Sequence, residues 1–432
     1  MPAAASIPVE RPRAASFAQR LPIYLLCAIL VFAAAVRFYY FNPDLRRTPD
    51  ERVYARQANV LLNQGTAGYR FLGGELAKDP SVALFPSPLR AGYLAVLVAF
   101  MRCTGDTSIL AGAHLSFICD LGLLLLVALM GYRQFSPTVA VVATLFLAVF
   151  PFDLTVYRRS WQESYIALLA MATVCLCAFI ARTQSGRLWG LAGFALLGFA
   201  ALSTKENAGV TFLLCAAGLT LYFILQRDSR SALLTACSAA LAAVAYLCVM
   251  SALFGGLPSF LHLEHLTLHT PVNPYIQAYD SGPTWMFPAA LFRTSPFLFL
   301  AVLTAFIVTV RRVWLAGMPA SGGLPLGIAL LTFSILLLEL LTQHYAFRFA
   351  APVYGSICLL AGIGVEAVLP VLRKLLAPLG RVTAWVVLGF ALSIAALRDF
   401  NFAQENLLLP ELGDLALRPV LGVPPLLLPP AQ

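Results

Sequence analysis

The sequence predicts an all-α protein, a polytopic transmembrane helical bundle of about 11 spans with juxtamembrane helices in its first outer loop. Three observations carry this reading. Of the 432 residues, 60% are hydrophobic and 11% are charged, and the mean hydropathy is +0.82. No soluble domain of this length can enclose so much apolar surface. The apolar residues fall into runs of span length, about 20 residues each. Arginines recur at the ends of alternate runs, as the positive-inside rule requires.

The first run, 21–41, follows Arg11, Arg13 and Arg20 and contains Ala33-Ala34-Ala35. A signal peptide has the same ingredients, but ahead of a membrane-embedded chain the run reads as an uncleaved first span. Thr48-Pro49-Asp50-Glu51 then opens an amphipathic pattern, with Val53, Tyr54, Ala58, Val60, Leu61 and Leu62 before Gly65. Thr48 suits an N-cap and Pro49 the first helical position, so a helix lying on the bilayer is expected. The stretch 89–101 is apolar but short, and reads as an interfacial or re-entrant helix; were it to cross, it would add a further span. Spans are expected at 108–131, 137–156, 164–181, 188–204, 208–226, 232–254, 288–310, 324–342, 350–370 and 382–397. Residues 1–398 thus form one transmembrane domain with outer loops at 42–107 and 255–287, followed by a Pro- and Leu-rich outer tail, 399–432, too short to fold alone. No internal repeat suggests the inverted design of transporters.

Loop charge orients the threading. If 89–101 does not cross, the cytoplasmic side receives Arg11, Arg13, Arg20, Arg133, Arg182, Arg187, Arg227, Arg230, Arg311, Arg312, Arg373, Lys374 and Arg381. The N-terminus is then cytoplasmic, and the opposite face collects nearly every acid and all five histidines. Lysine occurs only at Lys78, Lys205 and Lys374, an arginine bias that suggests GC-rich bacterial coding and hence a bacterial inner membrane, with the site facing the exterior. The net charge of +9 is scattered over helix ends, which suits membrane lipids and lipid phosphates and argues against nucleic acid. The nine cysteines show no CxxC pair or metal spacing and read as small packing residues.

Paired carboxylates at a membrane surface are costly unless solvated or partnered, so Asp50-Glu51 is the first candidate for chemistry. A carboxylate there can take a proton from an acceptor hydroxyl; equally, two acids suit the positive end of a helix. Arg158-Arg159 breaks the positive-inside bias, which calls for an anion: a phosphate ligand, or Glu163 one helical turn on. Thr204-Lys205-Glu206 interrupts an apolar run with one of the rare lysines, able to hold a phosphate or to snorkel. His344 and Arg348 sit in another outer turn among aromatics. His262, His265 and His269, with Glu264, share one helical face, so a divalent cation is conceivable, though a solvated face is commoner. Charges within spans, the mark of a transporter, are few; Asp120 and Glu339 are the main ones.

In fixed order, short motifs resemble those of the GT-C superfamily of integral-membrane glycosyltransferases, and most closely the bacterial protein mannosyltransferase and aminoarabinose transferase-like enzymes. Asp50-Glu51-x-x-Tyr54-Ala55 resembles the first-loop acidic motif, Gly131-Tyr132-Arg133-Gln134-Phe135 the inner loop after the second span, and Arg159 to Glu163 the second outer acidic site. Thr204-Lys205 resembles the Thr-Lys turn, and Arg348-Phe349 with Pro352 the Arg-Tyr element. The chain departs where Pro86-Ser87-Pro88 lacks the lysine of the lipid A branch, where His114 stands for arginine, and where Phe349 stands for tyrosine. The resemblance implies an inverting transferase that takes a sugar from a polyprenyl-phosphate donor and passes it to a glycolipid or protein acceptor. It implies Asp50 as base, Glu51 and Glu163 orienting groups or holding a cation, and Arg159, Lys205 and Arg348 on the donor phosphate. Tyr54, Glu206, His114 and His344 are the supporting candidates. The alternatives are a flippase of lipid-linked sugars and a ligase-like enzyme with diphosphate-linked donors.

Overall fold

The computed structural model describes residues 17–45, 47–79, 86–269, 283, 285–316, 323–342, 347–380, 382–408 and 422. Among the described residues there is no strand, and eight helices are long and apolar enough to cross a membrane. In chain order the helices are α1 (Phe17–Tyr39), α2 (Pro49–Gln64), α3 (Ala67–Lys78), α4 (Ala91–Thr104), α5 (Leu110–Met130) and α6 (Pro137–Val149). There follow α7 (Pro151–Val156), α8 (Glu163–Arg182), α9 (Arg187–Leu202), α10 (Glu206–Leu225), α11 (Ser229–Phe254) and α12 (Leu257–His269). The last are α13 (Met286–Thr294), α14 (Pro296–Ala316), α15 (Gly323–Thr342), α16 (Tyr354–Leu375) and α17 (Thr383–Ala403). Nine of the eleven expected spans fall on one helix each, while 137–156 is divided between α6 and α7 and 288–310 between α13 and α14; α6, α9 and α15 hold shorter apolar helices than the rest.

The expected surface helix is α2, which starts at Pro49 with Thr48 before it in extended conformation. Its carboxylate at the third position, Glu51, accepts from the Thr48 amide at 2.7 Å, closing the helix start. The short helix α4 is tied to α2 at both flanks: Arg90 donates to Tyr54 Oη, and Asn59 donates to the Thr107 carbonyl. Both flanks of α4 are thus held against α2.

The core is layered around α16, which packs on α6 and α14. At Gly364 a Cβ would stand 1.9 Å from the Ala301 carbonyl oxygen, so α16 and α14 meet backbone to backbone. A second cluster joins α2, α3 and α4 to the ends of α11 and α12, and a third fills the space among α8, α9, α10 and α11. Outward-facing leucines and phenylalanines on α1, α11 and α17 are the surface a bilayer would cover.

Asp120, marked out by its place inside a span, has a partner the sequence did not suggest. Arg37 near the end of α1 is fully buried and donates to Asp120 on α5 and, at 2.5 Å, to Asp153 on α7. It also donates to the Ala148 carbonyl at 3.1 Å, while Tyr157 Oη donates to the Arg37 carbonyl at 3.1 Å. The in-span charge of Asp120 is thus paired inside the protein, and the pairing pins α1 to α5 and α7.

Replacing Arg37 by methionine strands two buried carboxylates, a loss of about 3–5 kcal/mol. Thermal unfolding in detergent should show a large fall in midpoint for Arg37→Met; an unchanged midpoint would remove the triad from the list of structural supports.

Candidate active site

The helix ends assigned by loop charge to one face do converge. The start of α2, the α7–α8 loop, the α9–α10 turn and the 3₁₀ segment Phe347–Val353 meet there, joined by the π-type turn Gln404–Leu408 after α17. Two backbone features set this geometry. The Gly92 amide donates to the Ser203 carbonyl at 2.7 Å. A Cβ on Gly92 would stand 2.4 Å from Ser203 Oγ and 2.9 Å from Thr204 Oγ1, so only glycine lets α4 press the Thr204-Lys205 turn into place.

The two acids of the first motif have opposite fates. Glu51 is wholly buried and accepts from the Thr48 amide (2.7 Å), the Ser160 amide (2.7 Å), Arg47 Nη1 (3.1 Å) and Arg159 Nη1 (3.5 Å). Its lone pairs are filled by protein, so Glu51 is no candidate to touch substrate. Asp50, its neighbour, retains 28% of its side-chain exposure and accepts from Arg348 Nη1 at 3.0 Å. Asp50 can therefore meet a ligand from solvent while Arg348 orients its carboxylate.

The cations sort likewise. Arg159 is buried, donates to Glu51 and faces the Trp161 ring at 5.5 Å, which makes it a support for α2 rather than a phosphate ligand. The i, i+4 pairing of Arg159 with Glu163 does not form. Glu163 instead accepts from Lys205 Nζ at 2.9 Å, across from α8 to the α9–α10 turn. Lys205 also lies 4.5 Å from the Phe349 ring centre, and burial holds its ammonium below the usual lysine range against the opposing pull of Glu163. Arg348 stacks between Trp161 (5.0 Å) and Phe349 (5.4 Å). The aromatic at 349 thus faces two cations, a task for the ring that a missing tyrosine hydroxyl does not impair.

Tyr54 is buried, which pushes its phenol well above the usual range, and its Oη accepts from Arg90 Nη1 at 2.6 Å. With its amide turned to satisfy both ends, buried Gln162 accepts from Tyr54 Oη (3.1 Å) and Arg90 (3.2 Å) and donates to the Thr204 carbonyl (3.3 Å). Arg90 was absent from the sequence candidates. Its only signal is position: it follows Pro86-Ser87-Pro88, the element whose lysine is missing, by two residues.

Beside these groups opens a cleft of about 190 Å³. Arg90, Thr204, Lys205, Glu206, Tyr246, Glu264 and Thr267 line its polar part, and Leu202, Val210 and Leu213 its apolar part. Glu206 is open to solvent inside the cleft although protein surrounds it on most sides. Glu264, from α12, accepts from Tyr246 Oη at 2.9 Å; burial, with Glu206 nearby, lifts its carboxyl above the usual range. Asp50 does not line this cleft and stands beyond Tyr54 and Arg348.

The described histidines take no part in this assembly. His114 is exposed, lies 3.5 Å from Asp106 and stacks on Phe41. On α12, His265 and His269 stack at 4.0 Å between ring centres and His262 is exposed. Among the described residues no three His, Cys, Asp or Glu side chains stand where they could hold a metal ion. His344 lies outside the described residues.

No protein-family model matches the chain, and no curated protein does. Solved structures do. The chain is similar to the apo oligosaccharyltransferase of Archaeoglobus fulgidus, with TM-score 0.62 and 11% identity over 91% of this chain and 56% of that one. It thus spans little more than half the length of that enzyme. It is similar also to ArnT from Cupriavidus metallidurans in the apo state, with TM-score 0.59 and 15% identity over 92% of this chain and 78% of that one. With the same ArnT bound to undecaprenyl phosphate the TM-score is 0.53, at 14% identity over 91% of this chain and 78% of that one. At such identities the likeness is one of fold: the chain folds as these membrane proteins do over about nine-tenths of its length.

The contrast between the two acids is measurable. Glu51→Gln removes the charge that Arg47 and Arg159 face inside the protein and replaces an acceptor oxygen with a donor, a loss of about 2–4 kcal/mol. Asp50→Asn, at a solvated site, should leave the unfolding midpoint near that of the parent. Equal midpoints for the two variants would refute the assignment of Glu51 as the structural acid.

Proposed function

We propose that the chain is a membrane glycosyltransferase that moves a sugar from a polyprenyl-phosphate-linked donor to an acceptor hydroxyl or phosphate, with Asp50 as base. The observation that carries this reading is the Asp50 carboxylate, 28% exposed and held by Arg348 at 3.0 Å, in a site whose Arg90 and Lys205 line a cleft. The similar structures support the donor class. ArnT was crystallised with undecaprenyl phosphate, and the archaeal oligosaccharyltransferase, similar to this chain with TM-score 0.54, with dolichol-phosphate and an inhibitory peptide.

The steps follow from the charges. A lipid tail in the bilayer brings its phosphate to the face where the helix ends converge, beside Arg90, Lys205 and Arg348. Asp50 takes the proton of the acceptor hydroxyl, whose oxygen forms a bond to the anomeric carbon with inversion. The bond from that carbon to the phosphate oxygen breaks, and the electron pair stays on the phosphate. Fixed cations stabilise that developing charge without having to reorganise. Arg159 supports α2 in this scheme, and Arg90 joins Lys205 and Arg348 as a phosphate-facing cation. The acceptor is a membrane glycolipid or a protein. Loop charge supports a bacterial inner-membrane setting with the site outside and the N-terminus in the cytoplasm.

Proteoliposomes supplied with radiolabelled polyprenyl-phosphate sugars test the proposal. The parent should release free polyprenyl phosphate, and Asp50→Asn should lower that rate by about 10²–10⁴-fold with its unfolding midpoint unchanged. Equal release by the two proteins would remove Asp50 from the chemistry. Release only from diphosphate-linked donors would move the chain to the ligase-like class.

A further inference from the structure

Arg158, beside the site, has no part in the proposed chemistry. It is almost fully buried, in the loop that also carries Arg159, Ser160 and Trp161. Its Nη1 donates to the Leu408 carbonyl at 2.8 Å and its Nη2 to the Leu407 carbonyl. These carbonyls belong to the π-type turn Gln404–Leu408 that ends α17, so they are among the backbone acceptors a helix end leaves unfilled. A guanidinium there also meets the negative end of the helix dipole. Leu407 and Leu408 are themselves buried in the main core cluster.

The same residue faces the other way through its backbone. The Arg158 carbonyl accepts from Arg47 Nη1 at 3.1 Å, and that nitrogen also donates to Glu51 at 3.1 Å. Glu51 in turn accepts from the Ser160 amide at 2.7 Å. A closed circuit therefore runs from the end of the last helix through Arg158 to the first turn of α2, where Asp50 sits. The carbonyls at the end of α17 need donors but not a charge; a neutral amide could serve them without the cost of burying a guanidinium. What the arginine adds is a double donor that fixes the loop backbone by angle as well as by distance.

We propose that Arg158 is a positioning residue for Asp50, and that the turn Gln404–Leu408 after α17 is by this clamp part of the active-site scaffold. The inference rests on the reading of Asp50 as base. Misplacing a base by a fraction of an ångström slows the chemical step and leaves donor binding alone. Loss of the clamp should therefore lower kcat and leave KM for the donor little changed.

The test uses the full chain in proteoliposomes, with Arg158→Met and Arg158→Lys, and follows release of polyprenyl phosphate as the donor is varied. Hydrogen exchange of peptides covering Gln404–Leu408 and Asp50–Tyr54 is measured on the same samples. Arg158→Met should show a kcat lower by about 10²-fold, an unchanged KM and faster exchange in both peptides, with Arg158→Lys recovering part of each effect. Faster exchange at Gln404–Leu408 alone, with kcat and the Asp50–Tyr54 peptide as in the parent, would overturn the proposal and leave Arg158 an anchor of the tail. A rise in KM with kcat intact would overturn it also, by making Arg158 a binding residue. If Arg158→Met does not accumulate, Arg158→Lys decides by the same readouts. If Asp50→Asn proves active, the base assignment falls, while exchange in the Asp50–Tyr54 peptide still reports whether Arg158 holds α2.

Discussion

The site depends on one buried carboxylate. Glu51 gathers donors from two segments more than a hundred residues apart in sequence: Thr48 and Arg47 on one side, Arg159 and the Ser160 amide on the other. A buried charge is tolerable only when every lone pair is met, and here the demand for partners forces the first outer loop and the α7–α8 loop into contact. Once they touch, Trp161 Nε1 reaches Thr48 Oγ1 at 3.2 Å, and its ring offers a face to Arg348. Arg348 can then reach Asp50. The open acid is placed by the closed one.

The same division recurs on the other side of the site. Glu163 and Lys205 are both buried and satisfy each other at 2.9 Å, while Glu206, next in sequence to Lys205, opens to the cleft. In each case adjacent residues divide the work, one building the wall and the other facing the solvent. Aromatic rings complete the arrangement, because Trp161 and Phe349 give the arginine and lysine side chains flat surfaces that fix them without using their hydrogen-bonding capacity. A phosphate that displaced an acid from such a cation would find it already aimed.

How much of this could be read from the sequence follows from what membranes penalise. Lipid tolerates no unpaired backbone groups, so each span must be a long apolar run, and these stand out in the sequence. Thr48-Pro49 and the acids after it mark the start of α2 because caps are local. Which loops share a face was legible from arginine counts. Partner choice was not. Spacing suggested Arg159 with Glu163, yet the fold gives Arg159 to Glu51 and Glu163 to Lys205. Nothing local distinguishes these pairings, since each carboxylate is within reach of several cations once the loops meet. Arg37 was hidden for the same reason: an arginine near a span end looks like a flank, and only the tertiary fold brings Asp120 and Asp153 to it. Arg90 had no motif of its own.

Charge balance ties the assembled network to the proposed chemistry. Among the described residues around the site, Arg47, Arg90, Arg159, Lys205 and Arg348 face Asp50, Glu51, Glu163 and Glu206, which leaves one positive charge in excess within this set. A sugar phosphodiester of a polyprenol carries one negative charge and would neutralise it. During transfer the phosphate leaves with a second negative charge, while Asp50 gains the acceptor proton and loses its own. The total charge of the site is then the same before and after the bond moves. A change in net charge is costly where the dielectric constant is low, and in the proposed chemistry a base paired with Arg348 avoids it. A neutral or cationic cargo would leave the excess uncompensated, so the balance favours phosphate-linked chemistry over passage of an uncharged ligand.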